Sequence, residues 1–371
     1  MVERNLGALT LTVNQMIDQL ATAYISLVKS KAPLKSFPSV MLWGPPGVGK
    51  SQGIRQVAKR ISDKTGKRVD ITDVRLLLFN PVDLRGIPTA NADKTLAVWL
   101  KPQIFQMDEG DDVINILFLD EISAAPQSVQ AAAYQITLDR TVGEHKLPEN
   151  CIVIAAGNRV TDRSVAYNMP KALANRLCHI EIAGDNRSWH EWAVGAGINP
   201  IVLGFLAYNP SMLMQFDSVK DELSFPTPRS WEMVSNIFNL VSDDIDLVFP
   251  LVVGCIGEAA AYELRVWSEV YSRIPDVEAI FEGKENGVPL RPEILFAVSA
   301  NIVSYACYHH SDAELKNAVK YSAQLPVEFK NRIFTDLLQI EGIRKGLSRI
   351  LVYDDWFLRS GRDWEDYGVY D

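Results

Sequence analysis

Nowhere in these 371 residues does an uncharged apolar run approach the roughly 18 positions a helix needs to cross a bilayer. The longest such stretches, around Ile152–Gly157 and Val248–Ile256, have the length of a strand or a core helix, so no membrane span is expected. The opening residues, MVERNLGALTLTVNQMIDQL, lack an apolar segment followed by a small-residue cleavage site, and no secretion signal is expected. Cysteine is scarce. Cys151, Cys178, Cys255 and Cys307 are scattered and form no CxxC pair, which speaks against a disulfide framework and fits a reduced, cytoplasmic compartment. Histidine is scarcer relative to need: Cys178 beside His179, and Cys307 near His309 and His310, bring no second group at ligand spacing, so metal binding there is not expected. Basic residues are outnumbered, 37 Lys and Arg against 46 Asp and Glu, for a net charge of -9. A general polyanion binder needs clustered cations, so nucleic acid is disfavoured as a partner, although a local basic groove is left open. There is no internal repeat and no low-complexity tract.

What remains is an ordinary globular composition, 47% hydrophobic, ample for the cores of two or three domains. From Leu11 to Ser30, apolar residues recur at Val13, Met16, Ile17, Leu20, Tyr24 and Leu27, the spacing of an amphipathic helix. Strands are expected at Val40–Trp43, Arg68–Val74, Ile114–Leu119, Cys151–Ala156 and His179–Ile182, with helices such as Ser128–Leu138 and Lys171–Arg176 between them. A long irregular stretch with Pro81, Gly86, Pro88 and Pro102 follows the second strand, and the alternation in Thr141–Leu147 suggests a hairpin. This order is that of an open α/β fold with a mainly parallel five-stranded sheet. Beyond Asn186 the strand signal fades into helical spacing, broken at Asn209–Pro210, Pro226–Pro228 and Ile274–Pro275. Residues 1–185 are therefore expected to form an α/β domain with an N-terminal helix, 186–285 an α-helical domain, and 286–371 a helical C-terminal extension with the acidic tail DWEDYGVYD.

The chemistry begins at Gly44-Pro45-Pro46-Gly47-Val48-Gly49-Lys50-Ser51, a full match to G-x-x-x-x-G-K-[ST] placed after a strand and before a helix. Glycines let backbone N–H groups turn inward on phosphates, and the helix N-terminus adds partial positive charge. The loop from Gly44 through Gln52 is thus the expected ATP cradle, with Lys50 on the β- and γ-phosphates and the Ser51 hydroxyl on Mg²⁺. The second motif is the apolar run Ile114–Leu119 ending in Asp120 and Glu121. Carboxylates at the C-terminal end of a parallel strand are delivered to the ligand crevice. Asp120 suits a hydrated Mg²⁺, and Glu121 suits orienting the attacking water. Two carboxylates beside a triphosphate would repel it without a metal. The same pair could also cap the following helix, and both roles are compatible.

GPPGVGKS followed by ILFLDEIS resembles an AAA+ ATPase, and NPVDLRGIP, LDEISAAPQSVQAAAYQITLDRTVGEHKLP, IAAGN, PKALANRL and TPRSW resemble its MoxR-like, dynein-related branch. The resemblance runs from about residue 38 to 270. It implies that Asn158, closing IAAGN, is a sensor-1 residue that contacts the γ-phosphate or attacking water. It implies too that Arg176 in ALANRL is an arginine finger acting on a neighbouring subunit's nucleotide. Arg229 in TPRSW would be a sensor-2 arginine carried by a helical lid, residues 186–285. Arg140 and Arg163 are weaker trans-acting candidates. Arg159 and Asp162 superficially suggest a guanine-specificity NKxD motif, but Lys is replaced and the spacing is one too long, so GTP is disfavoured.

A finger supplied in trans implies a head-to-tail ring, a hexamer by family expectation. The implied activity is Mg²⁺-dependent ATP hydrolysis that remodels a protein client or activates a partner complex, in a chaperone-like manner. Partners with a von Willebrand factor A domain are implied by the resemblance; no DxSxS adhesion pattern occurs in this chain. Loops around Leu84–Phe105 or the segment from about 290 to 371 would supply client contacts, and no aromatic–hydrophobic–glycine pore loop stands at its expected place. The alternative is an AAA+ nucleic-acid motor, a helicase or restriction-type translocase, against which the acidic balance counts. A small-molecule kinase would leave the DEIS motif, Asn158, Arg176 and Arg229 without a joint explanation.

Overall fold

Aliphatic runs flanked by turn residues become the strands of one parallel sheet in the computed structural model, which describes residues 10–158, 169, 174–215, 223–308, 311–364, 367 and 369. In chain order the elements of the first unit are strand β1 (Thr10–Leu11), helix α1 (Val13–Lys29), β2 (Val40–Trp43), α2 (Lys50–Thr65), β3 (Arg68–Arg75), α3 (Pro81–Arg85), β4 (Ile87–Ala90), β5 (Ala97–Leu100), β6 (Val113–Asp120), α4 (Gln127–Asp139), β7 (Thr141–Val142), β8 (His145–Lys146), β9 (Cys151–Gly157) and β10 (Cys178–Ile182). The main sheet has the order β1-β10-β2-β9-β6-β3, with every pairing parallel. This is the P-loop AAA+ fold.

Alternation along each strand sends side chains to two separate cores. On one face Val40, Leu42, Ile114, Ile116, Phe118, Ile152 and Ile154 pack with Met16, Ile17 and Leu20 of α1 and Ile54, Val57 and Ile61 of α2. On the other face Met41, Leu117, Leu119, Val153 and Ala155 meet Val129, Ala133 and Ile136 of α4. A sheet covered on both faces explains why β6, buried from Val113 to Leu119, is apolar there except at Asn115, whose side-chain amide donates to the Asp108 carbonyl and Asn150 Oδ1.

The sheet has six strands rather than the expected five. The additional edge strand, β1, is two residues long, too short for any periodicity, and is held by parallel pairing of Thr10 and Leu11 with Glu181 and Ile182. Its presence shifts the start of α1 to Val13, with Thr12 as N-cap in a capping box with Gln15. The stretch expected to be irregular holds the short helix α3 and an antiparallel hairpin, β4 with β5. That hairpin buries little: Ile87, Leu96, Val98 and Leu100 are exposed, so no inward–outward alternation marks it. The hairpin at Thr141–Leu147 forms as β7 and β8. The first half of the helix expected at Lys171–Arg176 lies outside the described residues, as do Arg159, Asp162, Arg163, His309 and His310.

The chain divides into two compact units, residues 1–185 and 186–371. The second is helical throughout its described residues: α5 (Asn186–Gly195), α6 (Pro200–Tyr208), α7 (Pro228–Leu240), α8 (Ile245–Ile256), α9 (Glu258–Tyr271), α10 (Val277–Glu282), α11 (Pro292–Tyr308), α12 (Asp312–Gln324), α13 (Val327–Gln339), α14 (Arg344–Ser348) and α15 (Leu351–Arg359). Its core runs continuously from Trp189 through Trp231, Trp267, Val298 and Leu337 to Phe357 and Trp364, so the expected lid and extension on either side of residue 285 share it. Among the described residues no helix is long and apolar enough to cross a membrane.

Candidate active site

The loop between β2 and α2 takes its shape from glycine. Gly49 has φ 105°, a left-handed conformation that a residue with a Cβ rarely adopts, and it turns the chain directly into α2 at Lys50. No acidic residue stands in the first turn of α2, leaving the positive end of the helix dipole unopposed for an anion. Pro45, Pro46 and Gly47 are half-buried, Val48 is buried against the core, and Gln52 accepts a hydrogen bond from Arg55 at 3.4 Å.

Lys50 is buried, which for a lysine demands partners. Its Nζ donates to the carbonyl oxygens of Gly44 (2.7 Å) and Pro45 (3.1 Å) and to Oδ1 of Asn158 (3.0 Å). Asn158 is brought there by β9, which it closes. Its backbone N–H donates to the Ser123 hydroxyl at 2.9 Å. The preceding Gly157 is required by crowding: a Cβ there would stand 2.8 Å from Ser123 Oγ and 2.9 Å from Met41 Cε.

Ser51 and Asp120 meet across the same crevice, the serine hydroxyl donating to Asp120 Oδ2 at 2.7 Å. The other carboxylate oxygen, Oδ1, accepts from the backbone N–H of Glu121 at 2.8 Å. Glu121 has φ 60°, the left-handed region where a non-glycine residue carries strain. The turn that imposes it is pinned from Ile122, whose N–H donates to the Ala156 carbonyl at 3.0 Å. Asp120 and Glu121 therefore close β6 rather than merely capping α4, which begins later, at Gln127.

A hydroxyl and a carboxylate in contact at a phosphate loop are hard oxygen donors of the kind Mg²⁺ takes. The electrostatics agree. Burial, and next the charge of Asp120, push the Asp73 carboxyl above its ordinary range, while Arg75 and Arg55 offset this only in part. The C-terminal edge of β3 and β6 thus gathers Asp73, Asp120 and Glu121, a repulsion that a divalent cation would relieve. Asp73 and Ser123 were not singled out from the sequence. The position of Asp73 near the end of a parallel strand was the available signal; Ser123 lies inside the DEIS motif, but its link to Asn158 is tertiary.

Arg176 stands elsewhere. It is exposed, and it precedes Cys178, which pairs with Val40 at the start of β2. It is therefore at the N-terminal edge of the sheet, whereas the loop after Trp43 leaves from the C-terminal edge. Arg140 is engaged locally, its guanidinium donating to the Cys151 carbonyl from the C-cap of α4. Arg229 belongs to the second unit, exposed in the first turn of α7. His179 is bonded at both ring nitrogens: Nδ1 accepts from Trp43 Nε1 at 2.8 Å, so Nε2 carries the proton and donates to the Ala174 carbonyl at 2.7 Å. The four thiols are free, and burial raises each above its ordinary value, Cys151 to about 11, where little reactive thiolate forms.

With this geometry in view, residues 39–179 match the family described as ATPase family associated with various cellular activities (AAA). Residues 39–179 form an AAA-type ATPase domain. The matched stretch covers less than half of the chain, so it speaks for the first unit and the ATP hydrolysis housed there. No curated protein matches the chain. Among solved structures it is similar to a candidate ATPase from Cytophaga hutchinsonii, at 17% identity over 89% of this chain and 90% of the other, with a TM-score of 0.33. It is similar also to a RuvB variant from Thermotoga maritima, at 13% identity over 84% and 92% with a TM-score of 0.34. NtrX from Brucella abortus in complex with ADP aligns at 15% identity over 90% and 71% with a TM-score of 0.37. Likenesses at this level bear on no residue of the site.

Proposed function

We propose that this AAA-type domain hydrolyses ATP in a ring whose neighbouring subunits complete one another's sites, and that the ring remodels a protein client or partner complex. The observation that carries the reading is a division of labour across one sheet. Lys50, Ser51, Asp120 and Asn158 converge at the C-terminal edge, while exposed Arg176 lies at the opposite edge. An arginine so placed cannot serve its own loop but is free to serve a neighbour's, which is how a head-to-tail interface closes into a ring, here taken as a hexamer.

In this reading the backbone of residues 44–49 and Lys50 hold the β- and γ-phosphates, and Gln52 continues the contact along α2. Mg²⁺ bound by Ser51 and Asp120 would neutralise charge on the phosphate oxygens as the terminal bond breaks. Glu121, set at the crevice by its strained turn, orients a water and takes its proton as the water attacks. Asn158 holds Lys50 and the γ-phosphate in register. Arg176 from the neighbour stabilises the charge that develops on the transferred group.

The helical lid, residues 186–285, would report nucleotide state through Arg229, and residues 286–371 with the exposed β4–β5 hairpin would meet the client or a von Willebrand factor A domain partner in the cytoplasm. Support for the hairpin is its exposed Ile87, Leu96 and Leu100, beside a cavity of about 490 Å³ that includes Leu78, Val82 and Ile104 in its lining. Apolar surface of that kind suits contact with another protein.

A mixing experiment tests the shared site. Arg176→Ala and Glu121→Gln are each expected to lose hydrolysis alone. Mixed in equal amounts, they should recover activity, because an intact Glu121 in one subunit meets an intact Arg176 in the next at about a quarter of the interfaces on random assembly. Arg176→Ala alone turning over at the wild-type rate would mean a self-contained site and end the ring reading.

A further inference from the structure

The second unit contains a cavity of about 450 Å³ that the ATPase reading does not use. Trp189 and His190 of α5, Arg332 and Asp336 of α13, and Arg362 beyond α15 contribute to its walls. Among the described residues, three buried side-chain atoms lack any hydrogen-bond partner, and two of them are N–H donors: Nε1 of Trp189 and Nη1 of Arg362. Both residues contribute to the wall of this one cavity. Trp189 is only 8% exposed, so its indole N–H has no recourse to bulk water. A buried donor left unpaired is costly and rare, and two carried by residues of one cavity wall point to an acceptor that belongs beside them.

The charges around them select the sign of that acceptor. Asp336 is committed to His190, with Oδ2 at 2.8 Å from Nε2, and Glu191 is paired with Arg187 at 3.0 Å. Glu328 is exposed at the rim. Arg332 is desolvated, burial drawing its guanidinium below the ordinary value against the opposing pull of Asp336. Its guanidinium is seated over the Phe296 ring, 5.3 Å from the centroid, and Arg362 likewise lies over Trp356 at 5.4 Å. These cation–π contacts restrict both guanidinium groups, which lowers the cost of ordering their N–H donors for a ligand. Leu206 and Pro210 supply an apolar wall for the carbon part of such a ligand.

We propose that this cavity is a binding site for a small oxyanion, the carboxylate or phosphoryl group of a metabolite, whose oxygens accept from Trp189 Nε1 and Arg362 Nη1 while Arg332 supplies charge. Carboxylate and phosphoryl oxygens share the recognition chemistry, planar guanidinium and N–H donors against negative oxygen. Binding would tie α5 to α13 and to the segment after α15, and would stabilise the second unit by mass action.

The test uses the full chain carrying Lys50→Ala, which silences the phosphate loop of the first unit. Inorganic phosphate and succinate are titrated separately, by calorimetry and by the thermal midpoint. One of them should bind saturably, phosphate marking a phosphoryl ligand and succinate a carboxylate. Adding Trp189→Phe keeps a ring in place and deletes the unpaired donor, so the unliganded midpoint should hold or rise while affinity falls about tenfold. Arg362→Gln should weaken binding at least as much. Absence of saturable binding by either probe overturns the site, as does binding equal in all variants. A fall in the unliganded midpoint of Trp189→Phe without anion binding would assign the donors to ordered water and overturn it equally.

Discussion

The ammonium group of Lys50 stands 3.0 Å from the side-chain oxygen of Asn158, joining the loop after β2 to the end of β9. Those two positions are 108 residues apart in the chain, and the contact exists because β2 and β9 are neighbours in the sheet. The pair makes a specific kinetic prediction. Asn158→Ala should leave ATP binding largely intact, because Lys50 keeps its bonds to the Gly44 and Pro45 carbonyls. Its kcat should fall about 10²-fold, the usual scale for deleting one oriented polar group from a site of charge development. Lys50→Ala should instead abolish nucleotide binding. Fluorescent-nucleotide titration beside steady-state hydrolysis separates the two, and equal loss of binding in both variants would refute separate roles.

Glu121 carries backbone strain along with its proposed chemistry, since φ 60° is costly for any residue with a Cβ. Glycine normally destabilises by about 0.5–1 kcal/mol through the entropy of the unfolded chain. At this position the relief of strain should cancel that loss, so Glu121→Gly is expected to melt at or above the wild-type midpoint while hydrolysis disappears. Glu121→Gln keeps the strain and should also lose hydrolysis, by about 10²–10⁴-fold, while retaining ATP. Calorimetry of the first unit's transition distinguishes them, and a clear destabilisation of Glu121→Gly would show that the turn is not strained.

Asp73 gives the pH dependence. Its carboxyl is held above the ordinary value by burial first and by Asp120 second, so the folded state binds that proton more tightly than the unfolded chain does. The stability cost is fully present above the raised folded value and is relieved as pH falls from there to the ordinary carboxylate range. Asp73→Asn should therefore raise the midpoint at neutral pH, by less than about 1 kcal/mol given solvent screening, and the gain should vanish on acidification through that window. Mg²⁺ with nucleotide should shrink the same gain by offsetting Asp120. A destabilised Asp73→Asn at neutral pH would mean that the 3.9 Å pairing with Arg55 outweighs the repulsion.

The sheet could be read from the sequence where burial on both faces produces nearly continuous apolar runs. Val113–Asp120 and Cys151–Gly157 extend the expected Ile114–Leu119 and Cys151–Ala156 by a residue or so, because aliphatic side chains are needed on each side of a central strand. The phosphate loop was equally plain, since backbone geometry and charge both demand its residue types. Hidden from view were elements held by pairing alone. The two-residue β1 has no period, and the β4–β5 hairpin exposes Ile87 and Leu100, so neither leaves an inward–outward pattern. Contacts such as Asn158 on Ser123, or Trp189 at its cavity, depend on residues that only the tertiary structure brings together.

Arg229 occupies a position unfavourable for the helix that carries it. Thr227 caps α7, its hydroxyl accepting from the Ser230 N–H at 3.0 Å in a capping box, and Pro228 follows at the first helical position. Arg229 then places an exposed cation in the first turn, where the positive end of the helix dipole opposes it. Helix stability alone would not choose arginine there, whereas a role toward phosphate would. Thr227→Ala should cost the second unit about 1 kcal/mol. Arg229→Ala should cost nothing and gain up to about 0.5 kcal/mol, yet lower ATP turnover if the lid reads nucleotide through it. Thermal midpoints and hydrolysis measured on both variants decide the matter: a destabilised Arg229→Ala with wild-type turnover would make the arginine a structural residue and remove the proposed link between the second unit and the nucleotide.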